Sequence, residues 1–168
     1  EVYKPIKKDL KKVEKALIKE VGAGSDYITN ISKYAFKIPG KRLRPALVLL
    51  SSKVGRKPIS NEAVDVAAAI ELIHTATLVH DDVIDNAKIR RKHPSLNVKF
   101  GREMAILFGD FLYSRAFEIV SKQSIPEITS RLLKTTNILC EGELHQFQRA
   151  FKPVGKKEYF KIISAKTA

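Results

Sequence analysis

The chain has 168 residues, 44% hydrophobic and 29% charged, proportions that suit one globular domain with a real core and exclude a disordered segment. No uninterrupted apolar run approaches the roughly 18 residues that span a bilayer, and the single Cys140 excludes an internal disulfide, so a reducing, cytoplasmic setting is expected. Lys and Arg number 31 against 18 Asp and Glu, and a net charge of +13 attracts polyanions, which keeps nucleic acid, acidic lipid and phosphorylated metabolites in view.

The pattern reads as helices almost from end to end. Ile6, Leu10, Val13 and Leu17 recur at helical spacing, with Lys7, Lys8, Lys11, Lys12 and Lys15 on the other side, which predicts an amphipathic, solvated first helix. Gly22 to Asp26 ends it, and Ser25 or Asp26 is placed to cap a second helix running toward Phe36. Ile38-Pro39-Gly40 breaks the chain. Ala46 to Leu50 begins a third, buried helix with Pro45 in its first turn, and Gly55 and Pro58 close it. From Glu62 to about Asn86 there is neither Gly nor Pro, and the residues are mostly Ala, Leu, Ile and Val, which predicts one helix of about six or seven turns. Lys88 to Gly101 reads as a basic loop. Helical patterns resume over Arg102 to Ser121, Pro126 to about Phe151, and Lys156 to the end. No repeat and no convincing strand is found, so the expected fold is all-α in a single domain over 1–168.

The residues richest in chemistry are Asp81-Asp82-Val83-Ile84-Asp85, at the C-terminal end of the long helix. Asp81 and Asp85 are four apart and share a face, with Cβ atoms about 5–6 Å apart. Carboxylates crowded at the negative end of a helix dipole destabilise it unless a cation binds. Hard oxygens in an open, one-sided cluster suit Mg²⁺, which keeps waters and is completed by substrate phosphates. The bland alternative is a solvated acidic helix end paired with Lys88, Arg90 and Arg91. Against it stands the company of the cluster: His74 lies two turns back on nearly the same face, and Gly40-Lys41-Arg42-Leu43-Arg44-Pro45 adds further cations. Carboxylates ringed by guanidinium and ammonium groups are what a metal-bridged diphosphate requires.

Gly40-Lys-Arg-Leu-Arg-Pro45, Glu71-Leu-Ile-His74 leading into Leu78-Val-His-Asp-Asp82 with Asp85, Arg90-Arg91, Phe108-Gly-Asp110, Glu141-Gly-Glu143 with Gln146, and Lys166-Thr167-Ala168 together resemble the trans-polyprenyl diphosphate synthases in order and spacing. A lone aspartate motif is weak; the ordered set spans nearly the whole chain. The resemblance implies an isoprenoid synthase helical bundle around a central cavity. It implies an enzyme in which an allylic diphosphate such as farnesyl diphosphate ionises and alkylates isopentenyl diphosphate, a proton then being lost. Asp81, Asp82 and Asp85 would hold Mg²⁺ and carry catalysis. Lys41, Arg44, His74 and Arg91 would bind isopentenyl diphosphate, while Arg90, Lys166 and Thr167 would bind the allylic diphosphate. The family's chain-length rule points to Ala76 and Thr77, whose small side chains imply a long product. Ile73, or a residue on a neighbouring helix, is the other candidate for the floor of that tunnel.

The resemblance further implies a homodimer and peripheral membrane contact for release of a greasy product; a nucleic-acid-binding module, suggested by the +13 charge, is not expected, because no Arg-rich helix with interleaved aromatics and no recognition motif is present. Two departures stand out. Lys92 replaces the glycine that usually follows the arginine pair, and no second aspartate-rich motif is present. Family members run roughly twice this length, so the chain is expected to be the N-terminal part of a synthase, with the C-terminal helices missing. The alternative is a non-catalytic or regulatory subunit that binds diphosphates without turnover. A terpene cyclase also uses such aspartates, but it needs no second diphosphate and hence no basic segment like Gly40 to Pro45.

Overall fold

The computed structural model describes residues 2–22, 24–37, 40–54 and 58–166. Among these the chain forms eight helices: α1 (Lys7–Gly22, preceded by a 3-10 turn at Lys4–Ile6), α2 (Asp26–Phe36), α3 (Leu43–Lys53), α4 (Asn61–Ile84), α5 (Leu96–Phe100), α6 (Arg102–Ser121), α7 (Pro126–Gln148) and α8 (Lys156–Lys166). The all-α expectation holds. The sequence-predicted breaks at Pro39 and Gly55 lie outside the described residues.

Side-chain caps set two of the helix starts. Ser25 Oγ accepts from the Ile28 N–H at 3.4 Å, and Ser60 Oγ accepts from the Ala63 N–H at 3.2 Å. Each satisfies one amide that the first turn leaves without a partner. The long helix stops at Ile84, two residues earlier than the pattern suggests, because Asn86 turns left-handed at φ 50°. The stretch Lys88 to Gly101 is not a plain loop. It holds a two-residue antiparallel ladder, β1 (Ile89–Arg90) with β2 (His93–Pro94), followed by α5. Strands this short carry no alternation for a sequence pattern to show.

The chain divides into two compact units, residues 1–122 and 123–168. In the first, α4 is the central helix. Val13, Leu17 and Val21 of α1, Ala46 and Leu49 of α3, and Ala105, Phe108, Leu112 and Ala116 of α6 are all buried, and all three helices pack on α4. By length and composition α4 would qualify as a membrane span, although no uninterrupted apolar run in it is that long; more than half of that stretch is buried inside the bundle. Its apolar character therefore belongs to a core helix enclosed by three others. In the second unit α7 packs on α8, with Gly142 and Ile162 buried.

The contact of α4 with α6 is the most extensive in the molecule, and Gly109 makes it possible. A Cβ built there would fall 2.2 Å from His80 Nε2. The ring is held in place: Nε2 lies 3.1 Å from the Ile106 carbonyl and 3.5 Å from Asp110 Oδ1. Gly109→Ala is therefore expected to lower stability by about 1–3 kcal/mol through overpacking. Urea denaturation checks this, and in a Gly109→Ala/His80→Ala double variant the two losses should be less than additive, because the clash is removed.

Candidate functional site

The aspartates end α4. Asp85 is the C-terminal cap residue, its N–H donating to the Asp81 carbonyl at 2.8 Å, so the two carboxylates rise from consecutive turns. Asp82, only 4% exposed, faces inward and accepts a two-pronged pair of hydrogen bonds from Arg90: Nε to Oδ2 at 2.6 Å and Nη2 to Oδ1 at 2.8 Å. The hydrogen bond to Asp82 is the largest influence raising the pKa of Arg90; the charges of Asp82, Asp81 and Asp85 add to it, and partial burial opposes them. The three aspartates and Arg90 thus form one electrostatic cluster, and two of the groups assigned separately to metal and to diphosphate are bonded to each other.

Among the described residues no group of three His, Cys, Asp or Glu side chains gathers closely enough to hold a metal ion by itself. The donor set nevertheless fits Mg²⁺. Asp81 and Asp85 offer hard oxygens one turn apart, and this ion is typically bound through one or two carboxylates with waters and substrate phosphates completing the shell.

Beside this cluster lies a basic cleft. Gly40, Lys41, Arg44, His74 and Arg91 line it, together with Arg42 and Glu71. All four residues expected to bind isopentenyl diphosphate are therefore brought to one place. Arg91 reaches across the Gly40 backbone, where an added Cβ would lie 3.0 Å from its Nη2. Burial, then the positive charges of Arg44, Arg91 and Arg90, push the His74 pKa from 6.5 down to about 4. At neutral pH this imidazole is an uncharged hydrogen-bonding group among three guanidinium groups. A second, more apolar cavity adjoins it; there His74 meets Leu78, Asp82 and Arg90, along with Tyr34 and Leu96.

Because the folded pKa of His74 lies below its unfolded value, the unfolded chain binds the extra proton between about 6.5 and 4. This group's contribution to stability is complete above pH 6.5 and is lost as pH falls toward 4. In ligand-free protein an NMR titration should find one histidine, identified by its absence in His74→Gln, titrating near pH 4; a midpoint near 6.5 would contradict the packing described.

The loop that carries Arg90 and Arg91 is fastened at several points. Ser95 Oγ donates to the Ala87 carbonyl at 2.6 Å, Asn97 Nδ2 donates to the same carbonyl at 3.2 Å, and Tyr34 Oη of α2 donates to the Pro94 carbonyl at 2.7 Å. The turn needs left-handed backbone at Arg91 (φ 49°) and Lys92 (φ 68°). The departure at position 92 therefore has a local cost, since a lysine pays roughly 1–2 kcal/mol for a conformation that glycine adopts freely.

Arg42 is the residue that sequence reasoning left without a role. It stands in left-handed backbone at φ 51° as the cap residue before α3. Its side chain is nearly enclosed, with Nε and Nη2 donating to Glu14 at 2.5 and 3.1 Å and Nη1 donating to Glu71 Oε1 at 2.7 Å. Burial lowers its pKa, and the bonds to Glu14 and Glu71 more than offset that, so the net shift is upward. Arg42 locks the Gly40 to Pro45 segment to α1 and α4 and so places Lys41 and Arg44 at the cleft. A signal was available: Glu71 is a carboxylate in an otherwise apolar stretch of α4, three residues before His74, and a buried acid needs a cation.

Ala76 is fully buried in the core, and Thr77, half-buried, donates its hydroxyl to the His74 carbonyl at 2.8 Å. Lys166 belongs to the second unit, where it pairs with Glu143 at 2.7 Å. Thr167 lies outside the described residues.

A helical bundle whose longest helix ends in paired aspartates beside a cleft of Lys, Arg and neutral His has the architecture of an isoprenyl diphosphate synthase. The family profile described as Polyprenyl synthetase matches residues 25–168, and the chain belongs to that family. It is 33% identical over its whole length to an octaprenyl diphosphate synthase of Haemophilus influenzae, covering 51% of that protein. It is 41% identical over 82% of its length to a short chain isoprenyl diphosphate synthase of Methanothermobacter thermautotrophicus, covering 43% of it. The crystal structure of a polyprenyl synthase from Caulobacter crescentus, complexed with calcium and isoprenyl diphosphate, superposes with a TM-score of 0.93 at 29% identity, over 99% of this chain and 51% of that one. The chain spans about half the length of the curated relatives it matches.

Proposed function

We propose that the chain takes part in building a long-chain all-trans polyprenyl diphosphate, by condensing isopentenyl diphosphate with an allylic diphosphate such as farnesyl diphosphate. The observation that carries this reading is the side-by-side placement of two sites in one unit: the aspartate cluster with Arg90, and the cleft of Lys41, Arg44, His74 and Arg91. Two diphosphate sites distinguish a condensation of two diphosphates from a reaction of one.

Asp81 and Asp85 would hold Mg²⁺, which when bound neutralises the charge of the allylic diphosphate. Arg90, held by Asp82, adds a fixed positive charge where that diphosphate departs. In the condensation the allylic C–O bond breaks, the diphosphate leaving with the electron pair. The double bond of isopentenyl diphosphate then attacks the allylic carbon, and loss of a proton gives a diphosphate longer by five carbons. Lys41, Arg44 and Arg91 anchor the second diphosphate, with neutral His74 as a hydrogen-bonding partner between them. Lys166 and Thr167 are proposed, from the resemblance alone, to bind the allylic diphosphate. The small side chains of Ala76 and Thr77 support a long product, since neither blocks a growing chain as an aromatic ring would. The partner proposed for assembly is a second copy of the chain.

The test is Mg²⁺-dependent incorporation of labelled isopentenyl diphosphate with farnesyl diphosphate as starter, with the extracted product sized. Long products are expected. Products only one five-carbon step longer than the starter would overturn the chain-length reading. Binding of both diphosphates without turnover would indicate a non-catalytic subunit or a partial site.

A further inference from the structure

The first helix carries a charge distribution that the proposed reaction does not use. At about 100° per residue, Lys7, Lys8, Lys11, Lys12, Lys15 and Lys19 of α1 fall within an arc of roughly 140°. All six are exposed, and Ile18, 64% exposed, sits among them. The helix has three acids, and each lies outside that arc. Glu14 is bonded to Arg42, Glu20 pairs with Arg115 at 2.6 Å, and Asp9 reaches Lys12 at 2.8 Å. The opposite side, Val13, Leu17 and Val21, is buried in the bundle, so the lysine face is held outward by a rigid fold.

We infer that this face of α1 docks the protein on an anionic lipid surface. Clusters of four to eight basic residues on one face of a helix suit acidic headgroups. The lysine stems and Ile18 supply methylene surface for the headgroup boundary, with the ammonium groups reaching the phosphates. A nucleic acid is a poorer match: the arc has neither Arg to fork onto phosphates nor an aromatic ring for bases to stack on. This docking follows from the charge of the α1 face and does not depend on turnover.

The test is co-sedimentation with vesicles of phosphatidylcholine alone or with about 30% phosphatidylglycerol, at about 0.1 M salt. Binding to the anionic vesicles is expected to be at least roughly tenfold stronger, and Lys8→Glu/Lys11→Glu/Lys15→Glu to abolish the difference. Two comparisons guard the result. A Lys134→Glu/Lys152→Glu/Lys157→Glu variant makes the same change in net charge elsewhere and should keep most of the binding. The corresponding triple Gln variant, with circular dichroism confirming the helices, separates lost charge from lost fold. Equal loss in the two Glu variants, equal binding to neutral vesicles, or displacement from vesicles by a single-stranded RNA oligonucleotide through the same lysines would each overturn the inference. Because no substrate is added, failure here leaves the prenyltransferase reading to stand or fall by its own assay.

Discussion

Replacing Arg42 with Ala is expected to lower the free energy of unfolding by about 3–5 kcal/mol. The size follows from what is left behind. Glu71 is 5% exposed and Glu14 is partly covered, and both lose the guanidinium that satisfies them. A carboxylate stranded in a core helix costs far more than the pair contributes while intact. Arg42→Lys should recover only part of the loss, because a single ammonium cannot span two carboxylates as the planar fork does. Glu71→Gln/Arg42→Met, which removes both charges, should be less damaging than Arg42→Ala. Chemical denaturation of the four proteins checks the series. A loss below about 1 kcal/mol for Arg42→Ala would mean that the enclosed network does not exist in solution.

Asp81→Asn is expected to reduce Mg²⁺-dependent turnover by roughly 10²–10³-fold with little change in melting temperature. Asp81 is half-buried at a helix end, and amide for carboxylate preserves its shape while removing a negative ligand. Asp82→Asn should behave differently. It breaks the paired bonds to Arg90, so a fall in activity should come with a lower melting temperature and weaker allylic binding even without Mg²⁺. The two variants thus separate the proposed metal ligation by Asp81 from the positioning of a guanidinium by Asp82. Steady-state rates across a Mg²⁺ titration, with thermal melts, check both; identical behaviour of the two variants would contradict the division of roles.

Much of this was legible in the residues themselves. Apolar spacing marks α1, the absence of Gly and Pro marks α4, and the cap of α2 is narrowed by residue type to Ser25 or Asp26, of which the structure uses Ser25. The grouping of Lys41, Arg44, His74 and Arg91 followed from the family motifs, and the structure brings all four to one cleft. What escaped depends on distant pairing. Arg42 and Glu71 are 29 residues apart, and Tyr34 and Pro94 are 60 apart; neither partner signals the other locally. The β1–β2 hairpin is invisible to periodicity because its ladder is only two residues long, and it is held by Ser95, Asn97 and Tyr34 from outside. Asp82 looked equivalent to its neighbours because a sequence shows three carboxylates but not which one turns inward to Arg90.

Calorimetric titration of the ligand-free chain with farnesyl diphosphate tests most directly whether the end of α4 is the proposed Mg²⁺-dependent diphosphate site. Binding with Mg²⁺ present, at least roughly tenfold weaker when the metal is chelated and equally weakened by Asp81→Asn, is the predicted result. Binding of the same strength with and without Mg²⁺, or unaffected by Asp81→Asn, would contradict the assignment of these aspartates.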